Sequence, residues 1–585
     1  MKNIEISKIF SNIGEFLQIR GDASFRIRSY EKAARVIADL TVDVNELIES
    51  GTFQNISGIG KTIEEKTKEI LETGTCQAYE KLKDEMGLGV LELLDIQGIG
   101  GKTANRLYSE LGIKDLNQLT EVLENGRLQG MKGLGKKTLA TISESLQFQN
   151  ENRGIRLISV SIALAEKLSD VLNVCSVITR FEFTGELRRR EEILRSLEVV
   201  VECAEDTDKT RDTIIQLFTD HKQQFHSNLM DADDQQLVNK PFLQAIENIQ
   251  LTIDNDFPVV IYLTTSSSYE TILFLTTATD THISALPTDK HILNQTSDFL
   301  MRSQDHSEAE IFEKLGMSYI PPELRQNADT VQLALDNTLP TLIELEDMKG
   351  DLHAHTEWSD GRNTMDEMIA TAIEFGLEYF AITDHSAAST VANGLDQKRL
   401  LAQIKHVRDV DSQTEGITIL AGSEVDIRRD GTLDYTDEIL AQLDIVLASV
   451  HSHFTLSEAE MTKRMISAIE NPYVNIIGHP TGRLLGSRPM YPINLDEIIH
   501  AAAENNTILE INGSPSRLDL GPEYIRKAKD AGVLISINTD AHAVRQFVHR
   551  EYGVNVARRS GLTKEDVINT YPLDKLRKTL QRKEA

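Results

Sequence analysis

The carboxyl-terminal part of the chain repeats one pattern, a short apolar run that ends in residues able to bind a metal. Gly350-Asp351-Leu352 leads into His353-Ala354-His355-Thr356, and strand side chains alternate with period two, so both imidazoles leave one face. Residues 379–383 lead into Asp384-His385, 417–421 into Glu424 and Asp426, and 445–450 into His451 and His453. Residues 474–477 lead into Gly478-His479-Pro480, 507–509 into Glu510 and Asn512, and 533–537 into Asp540 and His542. Helical periodicity fills the gaps over 366–375, 458–470, 496–505 and 522–531. Strands alternating with helices predict a parallel (β/α)7 barrel, a distorted TIM-like fold, with its chemistry at the carboxyl ends of the strands.

Residues 1–150 have a different texture. They read as helices interrupted by three glycine-rich turns: Asn55-Ile56-Ser57-Gly58-Ile59-Gly60-Lys61, Asp95-Ile96-Gln97-Gly98-Ile99-Gly100-Gly101-Lys102 and Gln129-Gly130-Met131-Lys132-Gly133-Leu134-Gly135-Lys136-Lys137. Each turn precedes a helical pattern, over 62–72, 103–111 and 138–146. Glycine permits the tight turn, the helix start offers free N–H groups to a phosphate, and the neighbouring lysine adds charge. These are helix-hairpin-helix signatures, which hold the DNA backbone without reading sequence. Gly58, Gly60, Lys61, Gly98, Gly100, Lys102, Gly133, Gly135 and Lys136 are the expected contacts.

Composition narrows the picture. Ten of the fifteen histidines lie after residue 350, and six of them follow apolar runs directly, which chance placement does not explain. Imidazole and carboxylate without thiolate suit Zn, Mn or Fe rather than a structural zinc knot. A formal charge of −30 speaks against indiscriminate nucleic-acid binding, so any DNA contact must be local. Three cysteines without motif spacing suit a reducing cytoplasm. No leader and no membrane-length apolar run is expected. The length implies several domains.

The carboxyl-terminal constellation resembles the PHP (polymerase and histidinol phosphatase) family of metal-dependent phosphoesterases. His353, His355, Asp360, His385, Glu424, His451, His479, Asp540 and His542 fill that family's ligand pattern. The resemblance implies about three divalent ions, with Glu424 bridging and Asp360, Glu424 and Asp540 closest to the chemistry. His453, Glu510 and Asn512 belong to the neighbourhood without matching a ligand position. Arg483, soon after His479, is either a phosphate clamp or a solvated loop arginine.

The order of segments also resembles the family-X DNA polymerases whose bacterial members carry a PHP domain. Phe25-Arg26-Ile27-Arg28-Ser29-Tyr30 with Ala33-Ala34 looks like the start of their lyase-type domain, and 316–325 like the end of their thumb. On this resemblance residues 1–80 form a lyase-like helical domain, 81–150 fingers, 151–285 a palm, 286–335 a thumb, 336–347 an acidic connector and 348–585 the PHP domain. The palm departs from the family. Glu186 replaces the serine of a Gly-Ser turn, Ser196 and Glu198 stand where two aspartates are expected, and Tyr262 stands where a third is. The nucleotide-binding motif reads Phe274-Leu275-Thr276-Thr277-Ala278, without glycine. Two-metal nucleotidyl transfer needs those carboxylates, and Glu186 would repel a triphosphate. Arg188, Arg189 and Arg190 either touch a DNA phosphate or form a solvated charge run.

The expected function is therefore metal-dependent hydrolysis of DNA phosphodiesters, a 3′→5′ exonuclease acting at primer termini, gaps or damaged 3′ ends in repair, with Mn or Mg in assays and no polymerase activity. An active repair polymerase with proofreading, a small-molecule phosphatase and a non-enzymatic DNA scaffold are the alternatives.

Overall fold

The computed structural model describes residues 3–581, apart from 41, 132, 153, 205–206, 222–224, 226–227, 230–245, 254–256 and 288–306. Lys132 of the third turn and part of the expected thumb thus lie outside the described residues. The chain divides into two compact units, Met1–Arg153 and Gly154–Ala585.

The first unit is helical: α1 Asn3–Arg20, α2 Ser24–Asp39, α3 Val44–Glu49, α4 Lys61–Thr73, α5 Gln77–Met86, α6 Gly101–Leu111, α7 Leu116–Glu124 and α8 Lys136–Glu151. Phe10, Phe16, Phe53, Leu93 and Leu107 lie in its core. The three glycine turns share one geometry. Gly58, Gly98 and Gly133 take φ of 108°, 95° and 91°, which only glycine adopts freely. Gly60, Gly100 and Gly135 then cap α4, α6 and α8 with extended backbone and no capping side chain.

The second unit joins a mixed sheet to a barrel. Strands β1 Arg156–Leu157 and β3 Ile193–Leu194 pair antiparallel beside helix α9, Ile158–Asn173. Strands β2 Ile178–Thr184, β4 Leu197–Cys203, β5 Asn228–Leu229, β6 Asn248–Ile253 and β7 Phe257–Thr264 form a sheet in the order β2-β4-β7-β6-β5, with only β4 and β7 parallel. The barrel strands are β8 Gly350–Asp351, β9 Tyr379–Ile382, β10 Thr418–Asp426, β11 Ile445–Ser449, β12 Ile476–Ile477, β13 Ile508–Asn512 and β14 Ile535–Asn538. They run in sequence order, all parallel, and a bridge between Ala354 and Ala541 draws the two edges together. Both faces of these strands are covered, which is why they read as nearly unbroken apolar runs. Strand β10 is longer than its apolar run predicts. It pairs with β9 through Ala421 and with β11 from Gly422 onward, carrying Glu424 and Asp426 into the sheet.

Sheet and barrel share one apolar core that includes Leu168, Val199 and Ile261 on one side and Val446, Ile477 and Leu509 on the other. The acidic stretch 336–347 is packed against the barrel, with Ile343 buried and its N–H donating to Leu562 O. Arg188 and Arg189 are largely buried, Arg190 is partly exposed, and all three are paired. Arg188 makes two bonds to Glu308 at 2.8 and 2.7 Å, Arg189 reaches Glu191 and the Thr277 carbonyl, and Arg190 reaches Glu323 and Asn555. The partners Glu308, Glu323 and Asn555 lie far along the chain and are invisible to local spacing.

Glu308 also accepts from the fully buried Arg325 at 2.5 Å, so one carboxylate bonds two guanidinium groups, of which Arg188 has a second partner in Glu182 at 2.9 Å. Glu308→Gln should destabilise this unit by about 3–5 kcal/mol, because it leaves buried charge uncompensated. Urea unfolding followed by the fluorescence of Trp358, the single tryptophan, checks this directly. A midpoint within error of wild type would refute it.

Candidate metal centre

Every ligand expected from the sequence comes to one end of the barrel. Glu424 sits at the centre, fully buried, with His385 Nδ1 at 2.8 Å, His479 Nε2 at 2.9 Å, His451 Nε2 at 3.1 Å, His353 Nε2 at 3.5 Å and His355 Nε2 at 3.6 Å. Asp540 lies 3.1 Å from His355 Nε2, and Asp360 lies 3.5 Å from His542 Nε2 and 3.6 Å from His385 Nε2. Three overlapping groups have ligand atoms within 4.8 Å of one another: His355-Asp360-His385-His542, His353-His355-Asp540 and His385-Glu424-His451. His479 joins through Glu424. Asp360, 34 % exposed, stands on the open side.

The buried atoms fit a cation and little else. His353 Nε2, His355 Nδ1 and His479 Nδ1 are buried without a hydrogen bond, and so are His385 Nδ1 and Glu424 Oε2, which lie 2.8 Å from each other. Leaving such groups unpaired costs about 1–3 kcal/mol each, and native proteins rarely tolerate a cluster of them. Divalent ions at the centre would satisfy His353 Nε2, His385 Nδ1 and Glu424 Oε2, with a donor set of imidazole and carboxylate, whereas His355 and His479 face the carboxylates through Nε2.

Neighbouring groups fix the ligands. His353 Nδ1 is 2.8 Å from Glu510, whose other oxygen accepts the His479 N–H at 2.7 Å. Asn512 donates to Asp540 at 2.9 Å, and Asp426 lies 3.2 Å from His451 Nδ1. Buried Asp384 accepts from Thr356, Ser359 and Gln403 and so shapes the loop between His355 and Asp360. Glu510 and Asn512 thus act on the ligands from behind. His453 is exposed on the loop beyond His451 in a left-handed conformation, φ 59°.

Arg483 is not available as a clamp. Its guanidinium donates to Glu192 at 3.0 Å, to Arg517 O at 3.1 Å and to Leu518 O, tying the loop after His479 to the turn before β3. The cation that does reach the centre is Arg517, with Nε 3.8 Å from Asp540 Oδ2. Local pattern gives no hint of it, since it is a lone arginine in an irregular loop.

The mixed sheet brings its expected trio together differently. Tyr262 donates to Glu198 Oε2 at 2.9 Å, and Ser196 Oγ is 3.5 Å from Glu198 Oε1. A side chain at Gly185 would meet Glu198 at 2.5 Å, so the space beside Glu198 is filled. Glu186 is held by the Arg195 N–H, and burial raises its pKa. Residues 274–277 form the end of a buried helix, Tyr269–Thr277, whose Thr276 hydroxyl meets Thr184.

In the first unit, a side chain added at Gly60, Gly100 or Gly135 would meet nothing within 4 Å, so the backbone of each turn is open to close approach. Lys61 is exposed, with a loose 3.9 Å contact to Glu65.

Electrostatics at the barrel follow from crowding. Burial disfavours the charged form of His451, but the Glu424 charge and the Asp426 bond outweigh it and push its pKa to about 10. Burial likewise opposes charge on His542, yet Asp360 and Asp540 raise it to about 9. Burial would raise Glu424 and Asp540, but the surrounding imidazoles hold both well below the carboxylate range. A cation must displace the protons on His451 and His542. Its affinity should therefore rise with pH, by up to about tenfold per pH unit for each proton released, up to about 9 for His542 and about 10 for His451. Calorimetry of Mn²⁺ binding near neutral pH, in buffers of different ionisation enthalpy, reads that release. No proton release would contradict it.

Comparison with known proteins agrees with this architecture. A helix-hairpin-helix domain matches residues 1–76, a SAM-like helix-hairpin-helix tandem matches 90–147 and a PHP domain matches 351–514. The chain is 33% identical over 590 residues to the DNA polymerase/3′-5′ exonuclease PolX of Bacillus subtilis, covering 100% of both proteins. A probable phosphatase of Thermoanaerobacter sp. is 35% identical over 233 residues, 38% of this chain and 89% of that protein. A probable phosphatase of Proteus mirabilis is 32% identical over 232 residues, 38% and 90% respectively. The phosphatase matches span 38% of the chain, whereas the first relative extends over both units: the chain belongs to the PolX family, with helix-hairpin-helix domains at its amino end and a PHP domain at its carboxyl end.

Proposed function

We propose that the protein is a metal-dependent 3′→5′ exonuclease acting on DNA ends in repair, and that its palm does not polymerise. What carries this reading is the set of buried, hydrogen-bond-free nitrogen and oxygen atoms at the barrel mouth, in a chain that also holds three open glycine turns. His353, His355, Asp360, His385, Glu424, His451, His479, Asp540 and His542 would hold about three divalent ions, of Zn, Mn or Fe. When bound, these supply Lewis acidity toward a phosphodiester and acidify water.

The chain's own residues do the rest. Glu510 and Asp426 fix the tautomers of His353 and His451, keeping the opposite ring nitrogens free as donors to metal. Asp360, on the open side, is the carboxylate that an entering phosphodiester and its attacking water meet first. Asp540 and Glu424 stay ionised beneath it. The hairpin turns grip the DNA backbone through N–H groups and Lys61, Lys102 and Lys136.

The palm lacks what nucleotidyl transfer requires. Glu198, the one carboxylate among the trio, already accepts the Tyr262 hydroxyl, and no second carboxylate among the three completes a two-ion seat. The similarity of the barrel to probable phosphatases favours one second reading, hydrolysis of small phosphate monoesters.

A 5′-labelled primer–template with Mn²⁺, with and without all four nucleotides, tests the proposal. Wild type should shorten the primer, His353→Ala should lose at least about 100-fold of that activity, and neither should extend it. Extension by wild type would overturn the palm reading. An unshortened primer with turnover of a monoester would favour the phosphatase.

A further inference from the structure

The barrel mouth holds two arginines whose charge is not neutralised in the way of their neighbours. Arg188, Arg325, Arg483, Arg558 and Arg559 each face a carboxylate within 3.0 Å. Arg488 does not. Its Nε and Nη2 both donate to the single Gly482 carbonyl, at 3.0 and 2.6 Å, and among the described residues Nη1 makes no hydrogen bond. Arg517 has no side-chain hydrogen bond among the described residues, only the 3.8 Å approach to Asp540. The nearby Asp519 offers little, because Thr481 N and Oγ1 already occupy its oxygens.

Both arginines are built in place. The Gly482 N–H donates to His479 O, so the carbonyl that steers Arg488 belongs to the turn leaving a proposed ligand. Arg488 stacks 4.7 Å from the Phe454 ring centroid, and Phe454 stacks on buried Tyr491, whose hydroxyl donates to Pro480 O at 2.6 Å. Arg517 is fixed through its carbonyl by Arg483 and lies beside Asp540. The turns that carry them are tied together: the Leu485 N–H donates to Ser516 O at 2.7 Å and the Leu484 N–H to Arg488 O at 2.8 Å. Like charges held together in a half-buried setting are unfavourable unless an anion joins them.

We infer that Arg488 and Arg517 form a seat for the DNA phosphodiester adjacent to the scissile one. This rests on the exonuclease reading and sharpens it. A polynucleotide presents a second phosphate one nucleotide from the reacting one, whereas a small phosphate ester does not. A fork of N–H donors beside the centre is the chemistry that tells the two apart. The seat therefore selects a polynucleotide end over a lone phosphodiester.

The test compares a 5′-labelled single-stranded oligonucleotide with bis(p-nitrophenyl) phosphate, a diester without a neighbouring phosphate. Full-length wild type, Arg488→Met and Arg488→Lys are assayed with Mn²⁺. Methionine keeps the apolar stem over Phe454 and removes the charge. For Arg488→Met the ratio of kcat/KM on DNA to that on the small diester should fall about tenfold or more, chiefly through KM. Its dependence of log kcat/KM on log salt should lose about one unit of slope. Arg488→Lys should recover part of the ratio and most of the slope. An unchanged ratio, or an equal loss on both substrates, would overturn the seat. A wild type that cleaves the small diester and spares DNA would overturn the exonuclease reading itself, whatever the variants do.

Discussion

A carboxylate at the centre of five imidazoles is the constraint around which the barrel is arranged. Glu424 is fully buried, and its Oε2 makes no hydrogen bond. An isolated ion in that position would cost several kcal/mol in desolvation, so the fold must surround it with polar partners. It does so by ending six different strands at the same place: β8, β9, β11 and β12 supply imidazoles around the carboxylate of β10, while β14 contributes Asp540 and His542 just beyond. Closure between Ala354 and Ala541 follows from the same demand, because His355 and Asp540 come from opposite ends of the sheet order yet must meet at 3.1 Å. Fold and centre are one electrostatic problem with one solution.

The mixed sheet solves the opposite problem. Of the expected trio only Glu198 is a carboxylate, and it accepts the Tyr262 hydroxyl. The arginines beside it have turned inward, to Glu308, Glu191 and Glu323. Glu192 goes further, facing Arg483 at 3.0 Å and Arg559 at 2.9 Å and so joining the sheet to the barrel loop that leaves His479. Charges of the mixed sheet thus help to hold sheet and barrel together in one unit.

Legibility in the sequence tracks the range of the interaction. The ligand strands are readable because each one carries its own signature, an apolar run that ends in His, Asp or Glu. The glycine turns are readable because Gly58, Gly98 and Gly133 must take positive φ and Gly60, Gly100 and Gly135 must start a helix. What escapes is whatever depends on a distant partner. Arg483 looks like a phosphate clamp until Glu192, 291 positions away, occupies it. The extension of β10 through Glu424 comes from its change of partner at Gly422, which no run of apolar residues announces. Arg517 carries no periodic signal at all. Its importance lies wholly in standing beside Asp540.

Net charge sets the last condition. A chain of −30 repels a polyanion everywhere except where positive charge is concentrated within about a Debye length, roughly 10 Å at 0.1 M salt. At the barrel mouth the ligand carboxylates Asp360, Glu424 and Asp540 would by themselves add to that repulsion, and Asp426 and Glu510 lie behind them. Three divalent ions would reverse the sign of this surface, so on the proposed reading the ions are needed for substrate to approach as well as for its cleavage. Arginine alone could not do it: Arg488 and Arg517 bring two charges against five carboxylates. They can orient a backbone that the metals have made welcome, and selectivity for a polynucleotide end therefore depends on a centre that is already loaded.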